Sequence, residues 1–164
     1  MRNATDIAAN QECRVLLGEN AEISGTGQLQ LNVIFTEPKA TAVALTKAMA
    51  LAEDLDACIH IRAAIAVPIR LPLDQPHVSI PFMQEMLSRL VTTVTDGVPQ
   101  MPEIGIDLYL CRERSEAFSR MLTPNSLVLI AGPQRLWPTA ETRMAMRLQA
   151  EGHRVLFIPY SRRN

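Results

Sequence analysis

Three histidines (His60, His77, His153) and three cysteines (Cys13, Cys58, Cys111) are the side chains best suited to hold a metal or form a covalent intermediate. None of them has zinc-ligand spacing and no CxxC pair occurs, so no metal site is expected. A G-x-S-x-G elbow is absent and no Ser/His/Asp arrangement is visible. Gly25-Thr26-Gly27 matches half of a dinucleotide fingerprint, but it precedes a strand-like run instead of following one and lacks the third glycine. The residues left with binding potential lie on two short turns. Thr36, Glu37 and Lys39 form one; Gly132, Gln134, Arg135, Trp137 and Thr139 form the other, with Arg143 one turn into the helix that follows. Lys39, Arg135, Thr139 and Arg143 together can hold an anionic group, because guanidinium forks and a helix N-terminus both favour negative charge. Equally, Arg135 and Arg143 can pair with Glu141 or face water. Trp137 either stacks on a base and closes a pocket or serves as an apolar plug anchoring its loop. Glu37 serves as an acid or base, or caps a helix.

These turns acquire meaning from the elements that carry them. Leu29–Phe35 alternates apolar Leu29, Leu31, Val33 and Phe35 with Gln30 and Asn32, the period of a strand. Pro38 suits the first turn of a helix, and Ala40–Leu55 is dense in helix formers, with Leu45, Ala48, Ala52 and Leu55 on one stripe. Ala57–Val67 reads as a second strand, and the prolines of 68–77 demand a loop. Ser79 caps a second helix whose stripe is Ile80, Met83, Leu87, Leu90, Val91 and Val94. A third strand alternates Ile104, Ile106, Leu108 and Leu110. Ser115 caps a short helix from Glu116 to Leu122. Leu127–Ala131 is apolar without a break, as suits a strand covered on both faces, and Gly132-Pro133 stops it. Thr139 caps a fourth helix that ends at Gly152, and His153–Tyr160 is the last strand, with Val155 and Phe157 on one face and Leu156 and Ile158 on the other. Strict β/α alternation predicts an α/β, doubly wound, mostly parallel five-stranded sheet with helices on both faces. Residues 1–28 read as an N-terminal arm or an extra edge strand, and 29–164 as the α/β domain. Ligands of such sheets sit beyond the carboxyl ends of the strands, where the strand order reverses.

Composition removes several function classes. The 164 residues are 48% apolar and carry a formal net charge of −1, so one domain with a full core is expected and no global field attracts nucleic acid or membrane. Residues 1–100 hold 7 basic and 11 acidic side chains, and residues 101–164 hold 9 and 6, every base in the second part being arginine. That tilt fits an anion-facing surface or simply solvated helix faces. Aromatics are too few for a nucleic-acid groove, even beside the tail Arg162-Arg163. Cysteine usage suits a reducing compartment, and no apolar run is long enough for a membrane span, so a cytoplasmic protein is expected.

From about residue 29 to 160 the chain resembles the universal stress protein family. The resemblance is carried by the element order, the Ala-rich helix from Ala42-Val43-Ala44-Leu45 to Ala48-Met49-Ala50-Leu51-Ala52, the strand ending Val67-Pro68, the run Ser126-Leu127-Val128-Leu129-Ile130-Ala131-Gly132, and the closing Val155-Leu156-Phe157-Ile158-Pro159. It implies a strand order of 3-2-1-4-5 and homodimers formed through the last strand, here His153–Tyr160. In the family's ATP binders an aspartate follows the first strand and Gly-x2-Gly-x9-Gly-Ser/Thr follows the fourth. This chain keeps only Gly132; Arg135, Ala145 and Met146 stand at the later motif positions, and Thr36 and Glu37 stand where the aspartate falls. Each Cβ keeps backbone N–H groups away from phosphate oxygens, and Pro133 removes a donor. The expectation is a small-ligand-binding or dimerising module of the stress response, without ATP bound in the usual mode and without catalysis. The alternatives are an enzyme of another doubly wound family, acting on a nucleotide-like or anionic substrate through Glu37 or Lys39, and a protein-binding adaptor using loop 68–81.

Overall fold

The computed structural model describes residues 11–17 and 27–161. The expected turn around Gly25 and the arginines Arg162 and Arg163 lie outside the described residues. Along the chain run β1 (Gln11–Leu17), β2 (Gln30–Ile34), α1 (Pro38–Leu55), β3 (Cys58–Ala66), α2 (Ile80–Thr95), β4 (Ile104–Cys111), α3 (Arg114–Met121), β5 (Leu127–Pro133), α4 (Ala140–Ala150) and β6 (Arg154–Tyr160). The sheet order is β1-β4-β3-β2-β5-β6. Strands β2 to β6 are parallel and, counted among themselves, follow 3-2-1-4-5, the order expected. Strand β1 lies antiparallel against β4, with Gln11 opposite Leu110 and Leu17 opposite Ile104.

Alternation divides the core between the two faces. On one, Leu31, Val33, Ile59, Ile61, Ile104, Ile106, Leu108 and Leu129 pack against Ala44, Leu45 and Ala48 of α1 and Leu87, Leu90 and Val91 of α2. On the other, Ile34, Ala64, Cys111, Val128 and Ile130 pack against Ala117, Phe118 and Met121 of α3 and Ala145 and Leu148 of α4. Each fully buried aliphatic side chain contributes roughly 1.5–3 kcal/mol. The helices of the second face are short. At 8 residues, α3 reaches only about 12 Å along the strands, and the sheet surface at Asn32, His60, Arg62 and Asp107 is left to polar side chains.

Local signals divide into those obeyed and those overridden. Ser79 Oγ accepts from Phe82 N–H at 3.4 Å and Thr139 Oγ1 from Thr142 N–H at 3.2 Å, as their capping positions predict. Glu37 holds the cap position of α1 without a side-chain capping hydrogen bond. Ser115 is not a cap: α3 starts two residues earlier, at Arg114 behind Glu113, and Ser115 Oγ donates to the Glu113 carboxylate at 2.6 Å. Gly132-Pro133 does not stop β5, which runs through both because Gly132 and Pro133 stand opposite Pro159 and Tyr160 of β6. Leu55, expected in the buried stripe of α1, is exposed, since it falls in the last turn, beyond Ala52 and beside the left-handed Asp56.

Candidate functional site

The turns after β2 and β5 leave the same end of neighbouring parallel strands, which are in register from Leu31 opposite Leu127 to Val33 opposite Leu129. They are tied to each other: Thr36 Oγ1 donates to Ala131 O at 3.3 Å, and Thr36 N–H donates to Thr41 Oγ1 at 3.3 Å. The two turns expected to border a crevice at the reversal of strand order are therefore brought together. Its predicted lining is only partly drawn together. Thr36, Glu37 and Thr139 are half-buried and Gly132 is buried, whereas Lys39, Gln134, Arg135, Trp137 and Arg143 are exposed. Trp137 is 82% exposed and Leu136 fully so, which corrects the reading of Trp137 as an apolar plug: its ring stands in solvent and does not anchor the loop to the core.

Gly132 has a packing role. A Cβ built on it would stand 2.8 Å from Glu141 Cβ and 3.0 Å from Phe157 Cζ. The glycine lets α4 lie directly against β5 and β6, and the space beside it is filled by protein. Two residues that sequence spacing did not single out shape this end of the sheet. Arg114 donates from Nη2 to Phe35 O at 3.2 Å, and its buried Nε has no hydrogen-bond partner among the described residues. Arg112 donates from Nη1 to the carbonyls of Val67, Pro68 and Leu71 at 3.0, 2.7 and 3.0 Å, clamping the proline-rich loop. The run Arg112-Glu113-Arg114 was visible as charge; its targets are backbone carbonyls on other elements, which no spacing rule reaches.

A second polar cluster lies on the amino half of the α3/α4 face. Arg62 Nε donates to Asn32 Oδ1 at 2.9 Å, Arg62 Nη1 pairs with Asp107 Oδ2, and His60 Nδ1 lies 3.2 Å from the same oxygen. Asn32 Nδ2 donates to Leu127 O at 3.3 Å. All four side chains are more than nine-tenths buried. Strand register explains the meeting: Asn32 stands opposite His60, and Arg62 opposite Asp107, which places all four on one face. His60 is thus a buried histidine whose ring nitrogen faces a carboxylate. Arg62 and Asp107 could have been found from the same alternation, as charges at positions where the strand pattern calls for inward residues.

Burial pushes the Cys58 and Cys111 thiols up, away from the thiolate form. Among the described residues no group of three or more His, Cys, Asp or Glu side chains is placed to hold a metal ion. Fold and crevice together define a doubly wound, Rossmann-like α/β protein. Neither a family model nor a curated protein matches the chain. No helix among the described residues is long and apolar enough to cross a membrane.

Proposed function

We propose that the chain is a diverged, universal-stress-protein-like module that works as a homodimer in the cytoplasm and does not hold ATP in that family's usual manner. The observation that carries this reading is the outer edge of β6. Arg154 N–H and Tyr160 O point to β5, where they bond Ser126 O at 2.9 Å and Gln134 N–H at 3.3 Å. Residues alternate along a parallel ladder, so Val155, Phe157 and Pro159 turn their backbone groups outward. Pro159 thus lacks its N–H on the side where β5 does not need it. Antiparallel pairing of two copies about Phe157 would exchange Phe157 N–H and O, and would match Val155 N–H with Pro159 O. Val155, Phe157, Ile158 and Tyr160 are half-buried and Leu156 is 37% exposed, an apolar edge of the kind that proteins cover or pair.

The filled space beside Gly132 and the side chains of Arg135 and Ala145 support the second half of the reading. Nothing resembling a phosphate cradle is left on the turn after β5, and any anionic ligand would be held at its rim by Lys39, Arg135 and Arg143. Light scattering on the full chain at micromolar concentration is expected to give the dimer mass, and Leu156→Lys, which sets like charges on the paired edge, is expected to shift it to monomer. A monomeric wild type would refute the dimer. Micromolar affinity for ATP and Mg²⁺ by calorimetry would refute the nucleotide half.

A further inference from the structure

The buried cluster around Arg62 ends at a cavity. This cavity lies at the amino-terminal ends of β2 and β5, opposite the crevice, and has a volume of about 430 Å³. Small-molecule sites span roughly 300–1,000 Å³. Its polar wall is made by Gln28, Gln30 and Asn32 on the β2 side and by Thr123, Asn125 and Ser126 on the turn before β5; no described lining residue is charged. The turn is stiff: Asn125 sits in the left-handed region at φ 58° and Ser126 Oγ donates to Thr123 O at 2.6 Å.

Asn32 connects wall and cluster. Its amide is fixed at both ends, Oδ1 accepting from Arg62 and Nδ2 donating to Leu127 O, so which end carries the donors is determined. A primary amide has two N–H groups and two acceptor lone pairs, so one of each remains at Asn32 after these bonds. Arg62 is itself fixed by Asp107. Side chains held by a supporting layer of hydrogen bonds are what a binding site needs in order to be ordered before its ligand arrives. The chemistry of the wall selects the ligand. Amides and hydroxyls each donate and accept, as do the neighbouring hydroxyls of a sugar. An ion entering here would lose hydration and find no opposite charge in the described wall.

We propose that this amino-end cavity binds a neutral, polyhydroxylated small molecule of monosaccharide size, with a ligand hydroxyl bonded to Asn32. The site is separate from the crevice and does not depend on dimerisation. The test is titration of the full chain with D-ribose and D-glucose, followed by calorimetry and by backbone amide shifts, with the two corresponding sugar phosphates as charged probes. At least one neutral sugar is expected to bind saturably, shifting Gln30, Asn32 and Ser126, with its phosphate at least ~10-fold weaker. Gln30→Trp and Thr123→Trp, which fill the cavity from its half-exposed and exposed rims, are expected to weaken binding by ~10-fold or more, while Lys47→Ala on the exposed side of α1 leaves it unchanged. Absence of saturation with both sugars up to about 10 mM overturns the proposal. So do tighter binding of the phosphates at this cavity, read from the amide shifts of Gln30, Asn32 and Ser126, and affinity that survives the folded one of the two Trp variants.

Discussion

At the carboxyl end of the sheet, Lys39, Arg135 and Arg143 stand in solvent on a turn and a helix face, whereas on the amino half of the α3/α4 face Arg62 and Asp107 are 7% and 0% exposed. The same chemical groups are energetically cheap in the first setting and costly in the second. An exposed guanidinium keeps its hydration, and its loss changes stability little. A buried Arg–Asp pair has given up the hydration of both charges, and it holds only while each partner satisfies the other. The cations expected to meet a ligand at the carboxyl end are thus replaceable side chains, whereas the charges of the buried cluster depend on one another.

The sharpest way to break this contrast is to remove one member from each end. Asp107→Ala leaves Arg62 buried with its principal countercharge gone, and is expected to cost ~3–5 kcal/mol in urea unfolding. Arg135→Ala is expected to stay within ~0.5 kcal/mol of wild type. Joint replacement by Arg62→Met and Asp107→Leu is expected to cost less than Asp107→Ala alone, because no charge is stranded. Equal losses for Asp107→Ala and Arg135→Ala would remove the distinction between the two ends.

Next in size is Gly132→Ala. The methyl would meet the Cβ of Glu141, which belongs to a packed helix and cannot swing aside, and the ring of Phe157. A loss of ~1–3 kcal/mol is expected from such overpacking. A neutral or stabilising result would show that α4 yields readily, and that Gly132 is present for ligand approach instead of packing.

Arg112→Ala sharpens the comparison within the carboxyl end. Unlike Arg135, Arg112 satisfies three loop carbonyls, so its removal is expected to cost ~1–3 kcal/mol and to speed amide exchange across residues 68–77. Exchange unchanged in that loop would mean that Leu71 and Leu73, packed against the core, hold it without the arginine.

Periodicity made the strands, the helices and the parallel order of β2 to β6 legible, because apolar alternation such as Leu31, Val33 and Ile59, Ile61 records which face is buried. The end of the sheet where the turns meet followed from topology. The side-chain geometry there did not, because β5 runs on through Pro133 by pairing with β6, a long-range pairing that the chemistry of Arg135 or Trp137 does not record. The polar cluster escaped for a different reason. Asn32, Arg62 and Asp107 lie in separate strands, and only the register that sets Asn32 opposite His60 and Arg62 opposite Asp107 turns scattered polar residues into one network. The antiparallel placement of β1 likewise depends on pairing with β4, far off in the chain.

The smallest effect tests an ion cluster between these extremes, on the outer side of α3 and α4. Glu151 accepts from Ser119 Oγ at 2.9 and 2.8 Å and from Arg147 Nε at 3.0 Å. Burial by itself would raise its pKa, but the hydrogen bonds from Ser119 and Arg147, with the charges of Arg147 and His153, outweigh it and hold the carboxyl below the ordinary glutamate value. A carboxyl depressed in the folded state adds stability that is fully present above its unfolded value and is lost as pH falls through the folded one. Glu151→Gln is therefore expected to cost ~0.2–1 kcal/mol at neutral pH, in keeping with a solvent-accessible pair. The gap between variant and wild type is expected to narrow as the pH drops through about 4 toward 3. Urea midpoints measured at both ends of that range decide it: a gap that stays constant would mean that Glu151 acts through packing and not through its charge, in contrast to the buried Arg62–Asp107 pair.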